Sequence, residues 1–541
     1  MGGFFGIDLG TTFCSCAFIR DEYANPQIVD IDRQSGLESV VWLTNGEQED
    51  IFAYVGDKAL LHCENLSDDD GLLIRGSKRT IGVELSKFSV NPPWKFGKYQ
   101  LDSTTVAAII LKKIKQSIDR IFPNDPLTKA VITHPAYFLL PQKHATMEAA
   151  RLAGIEVIDT ITEPAAAAIA FGLGNKDPGL YMVFDLGGGT LDVTVLELEP
   201  GKIRMRTHEG DSYLGGLDWD KIILEKAKSA WEAKYEGRLA NQCIVGNVEQ
   251  NWLTQARRQK QALSELKVNT THYSVTTSTG DETVTLPLSR SEFENSSQKL
   301  VRRALEKAES VLRNAGIGWS DLKGTLLVGG STRMPMIVEA LEQKGAKPLR
   351  KVDPDLAVAF GAAYRARELL LNRALELDEQ KVVSAPEVAA NPIQSKVQDC
   401  VSRTLRILVD HCGQEICQEI IPQNTPIPCK KEEIFTLKYD NMHDLPIKLY
   451  EGESENPRFC SFVGLILITD IPQGSAGDSI KVVFSYSEGS CLHVLVEFLR
   501  QKVSREVIFE YSSMGAKNQD NHGASITNSS REDILSVIQV M

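Results

Sequence analysis

Two segments of the sequence end an apolar run with an aspartate that is followed by glycines and hydroxyl side chains. In the first, Asp8 precedes Gly10 and two threonines; in the second, Asp185 precedes three glycines and Thr190. Glycine lets backbone N–H groups approach phosphate oxygens, and threonine hydroxyls add donors. An aspartate that ends a strand can hold Mg²⁺ through the water shell of the ion. One such segment is usually a structural hairpin, whereas two of them predict an internal duplication that clamps a nucleotide between its halves.

A third glycine segment has a related pattern. Gly329 and Gly330 follow the apolar run 326–328 and precede a helical pattern. This arrangement suits a nucleoside that rests on the glycine backbone, with Arg333 stacking on the base. Together the three segments resemble those of the superfamily that contains actin, the sugar kinases and the heat-shock ATPases.

The elements that must position these residues belong to a first domain, which we assign to residues 1–374. Strand-like runs such as 129–133 and 181–184 alternate there with helical stretches such as 300–315. This alternation is typical of an α/β domain. Residues 375–398 are polar and contain two prolines, so they are interpreted as a linker.

Residues 399–513 predict a second domain of a different kind. Short strand-like runs separated by turn residues predict a compact antiparallel β-sandwich. The runs are 404–409, 433–439, 447–450, 462–469, 479–485, 491–498 and 504–510. Residues 514–541 are a polar tail, in which Ser530 is expected to cap a short helix.

Composition excludes several other classes of protein. The chain has 541 residues, 42% of them hydrophobic, and a net charge of −13. This length requires more than one domain, and the acidic balance argues against nucleic acid as the main partner. Apolar runs are too short to span a membrane, and the first residues lack the basic region of a secretory signal. The ten cysteines show no paired spacing for zinc, so reduced thiols in a cytoplasmic protein are expected.

Further strings narrow the resemblance to one family. They are residues 6–12, 132–138, 161–167, 184–190, 214–216, 328–333 and 353–363. In order and spacing they resemble the 70-kilodalton heat-shock chaperone family, over residues 3–512. The resemblance implies an α/β, duplicated actin-like ATPase fold with a C-terminal antiparallel β-sandwich domain. It also implies an ATP-dependent chaperone that acts in protein folding and the stress response.

The resemblance assigns roles to individual residues. Asp8 and Asp185 match the magnesium-site aspartates of the family. Lys78 matches its catalytic lysine and Glu163 the acidic partner of that lysine, and Asp185 and Thr190 complete the implied catalytic set. The implied nucleotide contacts are Gly10, Thr11, Thr12, Phe13, Gly187, Gly188, Gly189, Thr190, Gly215, Gly216, Lys260, Ser264, Gly329, Gly330, Ser331, Arg333 and Asp355. The implied cofactors are ATP or ADP and Mg²⁺, and positioning and charge neutralisation would supply most of the catalysis of hydrolysis.

For the second domain the resemblance implies a hydrophobic cleft that binds an extended apolar peptide. Its lining would be Ile407, Phe435, Leu445 and Ile447, although the same residues would also serve as the core of an ordinary sandwich. The implied partners are unfolded or extended hydrophobic peptides, with a J-domain co-chaperone and a nucleotide-exchange factor as further candidates. Neither nucleic acid nor a membrane is expected as a partner.

Several residues depart from the family pattern. Arg257 replaces a glutamate and Gln261 a base-stacking arginine, which predicts a loss of roughly 0.5–2 kcal/mol in nucleotide binding. Lys143 replaces the arginine of the proline switch at Pro135, and a lysine lacks the planar fork of arginine. Asp159 replaces an arginine that J-domain proteins use.

Other departures concern peptide binding and coupling between the domains. Residues 393–398 lack the family's run of leucines, each of which would contribute about 1.5–3 kcal/mol when buried. The linker is therefore expected not to dock by burying apolar area, and coupling is expected to be weak. A helical lid is not expected, because a short tail follows the β-rich domain, and peptide release should be fast. Lys438 stands where the family has a small apolar residue that arches over the cleft.

An alternative function from another class is therefore an adaptor that holds a nucleotide, has weak ATPase activity and binds a dedicated partner through its second domain. A small-molecule kinase of the same superfamily is disfavoured by Lys78 and by the β-rich domain.

Overall fold

The structure is a computed structural model that describes most of the chain. The described residues are 3–21, 25–46, 50–65, 71–82, 94–172, 177–236, 238–244, 246–276, 282–349, 352–377, 396–411, 413–487, 492–509 and 530–541. Within these ranges no helix has the length and apolar character needed to cross a bilayer.

The first lobe, residues 3–162, contains a mixed sheet covered by helices. Its elements are β1 (Phe4–Leu9), β2 (Phe13–Ile19), β3 (Gln27–Ile28), β4 (Leu37–Glu38), β5 (Val40–Asn45), β6 (Ile51–Val55), α1 (Asp57–Asn65), β7 (Leu72–Arg75), β8 (Trp94–Phe96), β9 (Tyr99–Leu101), α2 (Ser103–Ile121), β10 (Lys129–His134), α3 (Leu140–Leu152) and β11 (Glu156–Thr162). The strand order of the main sheet is β11-β10-β1-β2-β3, with β4 also paired to β2. Strands β5, β6 and β7 belong to an outer sheet.

The second lobe, residues 163–377, repeats this plan. Its elements are α4 (Glu163–Ala170), β12 (Gly179–Leu186), β13 (Leu191–Glu199), β14 (Lys202–Asp211), α5 (Gly216–Lys234), α6 (Ala240–Cys243), α7 (Gly246–Ser264), β15 (Thr270–Thr276), β16 (Thr283–Ser289), α8 (Arg290–Ala315), β17 (Leu322–Val328), α9 (Pro335–Gln343), β18 (Pro348–Leu349) and α10 (Ala357–Leu377). The order β18-β17-β12-β13-β14 matches that of the first sheet. In each lobe the aspartate-bearing strand forms an antiparallel hairpin with the next strand and pairs in parallel with a later one. The predicted duplication is therefore confirmed.

The lobes share a core made of small residues. Helices α4 and α10 contact each other and place alanines such as Ala166 and Ala362 in a buried cluster that includes side chains of both sheets. A Cβ atom on Gly361 would lie 1.9 Å from the carbonyl oxygen of Ala166, and one on Gly6 would lie 2.1 Å from the backbone nitrogen of Ala363. Only glycine allows this close approach of helix to helix and of helix to strand.

The second domain is an antiparallel β-sandwich, as predicted. A short helix and a short strand follow it in the chain. The elements after α10 are β19 (Lys396–Gln398), β20 (Leu405–His411), β21 (Gln414–Ile421), β22 (Cys429–Thr436), β23 (Leu445–Glu451), β24 (Ser461–Ile468), β25 (Ser479–Tyr486), β26 (Leu492–Phe498), β27 (Val503–Phe509), α11 (Arg531–Ser536) and β28 (Ile538–Val540). The two sheets have the orders β21-β20-β23-β24 and β22-β25-β26-β27, and we call residues 399–509 the β domain. Strand β21 was not among the predicted runs.

The last three residues of the linker dock by strand pairing rather than through a run of buried leucines. Strand β19 adds in parallel to the edge strand β14, with Val397 opposite Ile203, and Val397 packs against the core that the lobes share. Strand addition uses backbone hydrogen bonds, so it needs no run of leucines. Helix α10 extends to Leu377, into the range predicted to be linker, and residues 378–395 lie outside the described residues.

A second contact joins the β domain to both lobes. Leu140, the first residue of α3, is buried in the β-domain core. The Ser402 hydroxyl donates to the carbonyl of Ala136 at 3.0 Å, and His208 Nε2 lies 3.2 Å from the carbonyl oxygen of Ser402. The β domain therefore contacts the region that follows Pro135, the residue that the family resemblance assigns to a proline switch.

The tail contains the expected helix and an unexpected strand. The Ser530 side chain caps α11, a helix of six residues, by accepting a hydrogen bond from the backbone of Asp533. The chain then continues as β28, which pairs in parallel with β6 of the first lobe. The remainder of the predicted tail, residues 514–529, lies outside the described residues.

Glu451 makes the docking of the β domain dependent on pH. Burial raises the pKa of Glu451 from 4.5 to about 7, although Lys143 and the backbone N–H of Leu140 oppose this shift. The docked carboxyl therefore binds a proton at a pH at which an exposed glutamate has lost it. The contribution of Glu451 to docking is complete below its exposed value and is lost as the pH rises through about 7. Burial lowers the pKa of His208, which contacts Ser402 of the β domain, from 6.5 to about 4, so His208 opposes docking as the pH falls below 6.5.

We expect Förster transfer between dyes on the two domains to fall as the pH rises from about 6.5 to about 7.5, where docked Glu451 loses its proton and His208 is neutral whether docked or exposed. In Glu451→Gln, which keeps the shape and removes the charge, this fall should be absent. Glu506→Gln, at a side chain that is 62% exposed, is the control and should behave as the wild type does. An unchanged pH dependence in Glu451→Gln would contradict this role.

Candidate functional site

A cavity of about 400 Å³ lies between the two lobes and gathers most of the predicted nucleotide residues. The predicted residues on its wall are Asp8, Gly10, Thr11, Thr12, Phe13, Lys78, Glu163, Asp185, Gly187, Gly188, Thr190, Gly216, Lys260, Ser264, Gly329, Gly330, Ser331, Arg333 and Asp355. Two others, Gly189 and Gly215, lie behind the wall. A Cβ atom on Gly215 would lie 2.4 Å from the backbone of Gly189, so these two residues pack against each other and support the glycine turns.

The two glycine turns face each other across the cavity. A Cβ atom on Gly188 would lie 1.9 Å from the Thr12 hydroxyl, and one on Gly189 would lie 2.1 Å from the methyl group of Thr11. The turn of the second lobe is held by the Ser331 hydroxyl, which donates to the carbonyl of Gly187 at 2.8 Å. The absence of side chains thus leaves backbone N–H groups and threonine hydroxyls to line a space suited to phosphate.

Lys78 and Glu163 form a buried ion pair at this cavity. Lys78 Nζ lies 2.7 Å from Glu163 Oε1, and both side chains are less than 10% exposed. Burial alone would lower the pKa of Lys78, but the carboxylates of Glu163 and Asp8 raise it above its usual range. The lysine therefore carries a fixed positive charge.

Arg79 anchors the turn that carries Lys78. It lies in the same short 3-10 segment, Ser77–Thr80. Its Nε donates to the carbonyl of Gly189 at 2.8 Å, and its guanidinium pairs with Asp218 at 2.7 Å. Sequence analysis missed this contact between the lobes, because an arginine next to a lysine carries no signal of its partner.

Carboxylates outnumber cations in this region. Burial and repulsion from Glu163 raise the pKa of Asp8 to about 7, and burial and the neighbouring carboxylates raise the pKa of Asp185 well above its usual value. Burial and Glu163 likewise raise the pKa of Asp192 to about 7. This excess of buried negative charge fits a divalent cation.

The set of donors suits magnesium in particular. Among the described residues no group of three or more His, Cys, Asp or Glu side chains is placed to hold a metal ion. Mg²⁺ usually keeps several waters and uses one or two carboxylates together with substrate phosphates. The pair Asp8 and Asp185 fits that role.

Lys260 and Arg333 line the same cavity. Lys260 Nζ is 2.7 Å from Asp220 Oδ1 and donates to the carbonyl of Gly216 at 2.8 Å. Arg333 is half exposed at the rim and pairs with Asp353 at 2.6 Å and with Asp355 at 2.9 Å. Stacking of Arg333 on a base stays a prediction. Asp220 was missed, because its partner comes from another helix.

Arg257, noted in the sequence as a departure, bridges the lobes. Its guanidinium, on α7, is 3.1 Å from Glu38 on β4 and lies 4.6 Å from the ring centroid of Phe13. Both charged side chains are less than 15% exposed. Gln261 lines the cavity one helical turn later. A guanidinium is thus still present in the cavity, but it is held by a carboxylate of the opposite lobe.

The four predicted peptide-binding residues lie in one cluster. Ile407 and Ile447 are buried in the β-domain core, and Phe435 and Leu445 are half-buried against it. Phe435 lies on β22, which is in the opposite sheet from β23. Phe435 and Leu445 therefore pack against the same core from opposite sheets of the sandwich.

Three departing residues have partners in the structure. Asp159 pairs with Arg365 at 3.0 Å. Lys438 pairs with Asp410 at 2.7 Å. Lys143 is buried on α3 beside the docked β domain, and its charge acts on Glu451. Each departing residue therefore interacts with a charged group of the fold.

The family profile and the similar proteins all indicate the same protein family. The family profile described as "Hsp70 protein" matches residues 4–523. A "Chaperone protein HscA homolog" of Polynucleobacter asymbioticus is 33% identical over 510 residues, which are 90% of this chain and 75% of that protein. "Chaperone protein DnaK" of Mycoplasmopsis pulmonis is 32% identical over 517 residues, 94% of this chain and 78% of that protein. A "Chaperone protein HscA homolog" of Ralstonia pickettii is 34% identical over 506 residues, with 90% and 75% covered.

Proposed function

The chain belongs to the Hsp70 family, and on that premise we propose that it hydrolyses Mg-ATP in the cavity between its lobes and binds extended apolar segments of other proteins with its β domain. Members of this family are chaperones with ATPase activity. The observation that carries the proposal is the buried Lys78–Glu163 pair, 2.7 Å apart, on the wall of the same cavity as Asp8 and Asp185.

The residues of the cavity would divide the work of phosphoryl transfer. The glycine turns and Thr11, Thr12 and Thr190 would hold phosphate oxygens, and Lys78 would stabilise negative charge on the transferred group. Glu163 keeps Lys78 in place and charged. A magnesium ion held by Asp8 and Asp185 would supply the charge neutralisation that a single lysine does not. The buried carboxylates would then orient the attacking water.

Apolar side chains on the β domain support peptide binding. Phe435 and Leu445 are half-buried at the core, and Tyr439, in the loop after β22, is exposed. Such residues beside β-strands suit an extended peptide, which pairs through its backbone and places alternate side chains in pockets. The Lys438–Asp410 pair connects the loop after β22 to β20 and would take the place of an apolar arch.

The adaptor function is the alternative, and the Arg257–Glu38 pair favours it. A nearly buried ion pair across the cavity would hold the lobes together and slow the release of a nucleotide. A J-domain co-chaperone and a nucleotide-exchange factor remain proposed partners. Since Asp159 is engaged with Arg365, a J-domain would need other contacts on this surface. Single-turnover hydrolysis with and without an apolar peptide separates the chaperone from the adaptor.

Replacement of the catalytic lysine tests the ATPase proposal. Lys78→Ala should lower ATP turnover about 10²-fold or more with ATP binding largely kept, because a preorganised charge is removed. Thr190→Ala should have a smaller effect, since backbone amides share its role. The control is Lys344→Ala, because the Lys344 side chain is 44% exposed and pairs with Glu309. Turnover near the wild-type rate in Lys78→Ala would refute the assignment.

A larger side chain at Leu445 tests the peptide cleft. If Leu445 borders an open cleft, Leu445→Phe should fill it, abolish binding of a labelled apolar peptide in fluorescence anisotropy and leave the melting temperature nearly unchanged. Leu449, four residues later on the same strand, is fully buried. Leu449→Phe should therefore cost about 1–3 kcal/mol through overpacking. A similar loss of stability in Leu445→Phe, with peptide binding kept, would assign the residue to the core and favour the adaptor.

The docked linker changes the expected coupling. Because β19 joins the sheet of the second lobe, we expect an apolar peptide to stimulate ATP hydrolysis, in contrast to the weak coupling expected from the sequence. Val397→Asp should reduce this stimulation several-fold with the basal rate unchanged, because a charge would face an apolar core. Val397→Ile keeps the apolar contact and is the matched control. Equal stimulation in both variants would show that coupling runs through another surface.

A further inference from the structure

The tail segment, residues 530–541, covers an open edge of the first lobe. Strand β28 pairs in parallel with β6, with Ile538 opposite Ile51. The backbone N–H of Ile51 donates to the carbonyl of Val537 at 3.0 Å, and the N–H of Met541 donates to the carbonyl of Ala53 at 3.0 Å. Without the tail segment, β6 would expose these groups at the edge of a sheet, where another strand can pair with them.

Apolar side chains of the tail segment complete the core of that lobe. Ile534, Leu535 and Ile538 are each less than 10% exposed and belong to the same buried cluster as Ile51 and Ala53. Both α11 and β28 contact α2. The edge of β6 and the adjoining surface of α2 therefore form an apolar trough that fits one helical turn followed by a strand.

Charged groups fix the orientation of the segment in this trough. Arg531 donates to Asp102 at 2.9 Å, and Asp102 also caps α2. Glu532 pairs at 2.6 Å with Arg151 on α3, and Gln539 donates to Asp50 at 2.7 Å. These contacts specify direction and register, which a purely apolar trough would leave open.

We propose that this surface is an acceptor site for a short helix–strand segment and that residues 530–541 of the same chain are its resident occupant. Strand β19 joins the β domain to the sheet of the second lobe, and the tail segment joins the chain that follows the β domain to the first lobe. The β domain is thereby tied to both lobes by strand addition. This inference is independent of the proposed peptide cleft.

The contact between the tail segment and the first lobe is small, so a separate peptide can exchange with the tail segment. It consists of three buried apolar side chains, three paired strand residues and exposed polar contacts. Docking within one chain is favoured by an effective concentration on the order of 1 mM. A separate peptide with the same sequence should therefore bind the vacated site with a Kd on the order of 0.1 mM or tighter, and a segment of another protein with this pattern could compete.

The test uses the full chain and a fluorescent peptide of residues 530–541. The double variant Ile534→Asp with Ile538→Asp should release the tail segment, expose the amides of Ile51 and Ala53 to hydrogen exchange and bind the peptide in anisotropy measurements. The matched control is Ser536→Asp, at an exposed position of the same helix. It should keep the amides protected and exclude the peptide, as the wild type does. A peptide that carries the two aspartates should bind neither protein.

A second variant guards against misfolding of the first. Gln539→Pro changes an exposed residue of β28 and removes a donor from the ladder, so it should release the strand with the first lobe intact. Failure of both variants to bind the peptide, or equal binding to the wild type, would overturn the proposal. Protection of the amides of Ile51 and Ala53 that rises with protein concentration would also overturn it, because the occupant would then be the tail of a second copy.

Discussion

Close approach of the two lobes is the constraint on which the rest of the structure depends. Small residues of α4 and α10 let the two sheets share a core, and Gly361 and Gly6 mark points where a side chain would collide with backbone. This approach brings the two glycine turns into contact across the cavity. Without it, Asp8 on one lobe and Asp185 on the other would be unrelated strand ends.

The same approach concentrates charge. Asp185, Asp192 and Glu163 are buried together with Lys78, and Asp8 is half-buried beside them. A raised pKa of Asp8 and of Asp185 is the consequence. A site with such an excess of carboxylate is suited to a dication and to phosphates, whose charges balance each other. The ion pairs Arg79–Asp218 and Arg257–Glu38 cross between the lobes beside this region, so the electrostatics of the site and the closure of the lobes are linked.

Addition of a short strand to the edge of a sheet occurs twice in this molecule. Strand β19 extends the sheet of the second lobe, and β28 extends the outer sheet of the first. Both additions are short and use backbone hydrogen bonds, with few apolar side chains buried. A family member without a leucine-rich linker can therefore still hold its β domain against the first domain, and the contacts of Leu140 and Ser402 set the position.

The sequence by itself determined the local structural motifs of this protein. Aspartates at strand ends, followed by glycines and threonines, predicted the hairpin turns, the duplication and a phosphate site, because such turns depend on residues adjacent in the chain. The alternation of short strands with turns predicted the sandwich for the same reason. Lys78 and Glu163 were identified through the family resemblance, since a lone lysine and a lone glutamate carry no local signal of their pairing.

Only the tertiary structure decided the long-range partners. It placed Phe435 in the sheet opposite Leu445, paired Arg257 with Glu38, and put β28 on β6. A charged side chain has many oppositely charged candidates along the chain, and the fold selects among them by distance. Strand addition is still harder to foresee, because every residue except proline offers the same backbone N–H and C=O groups.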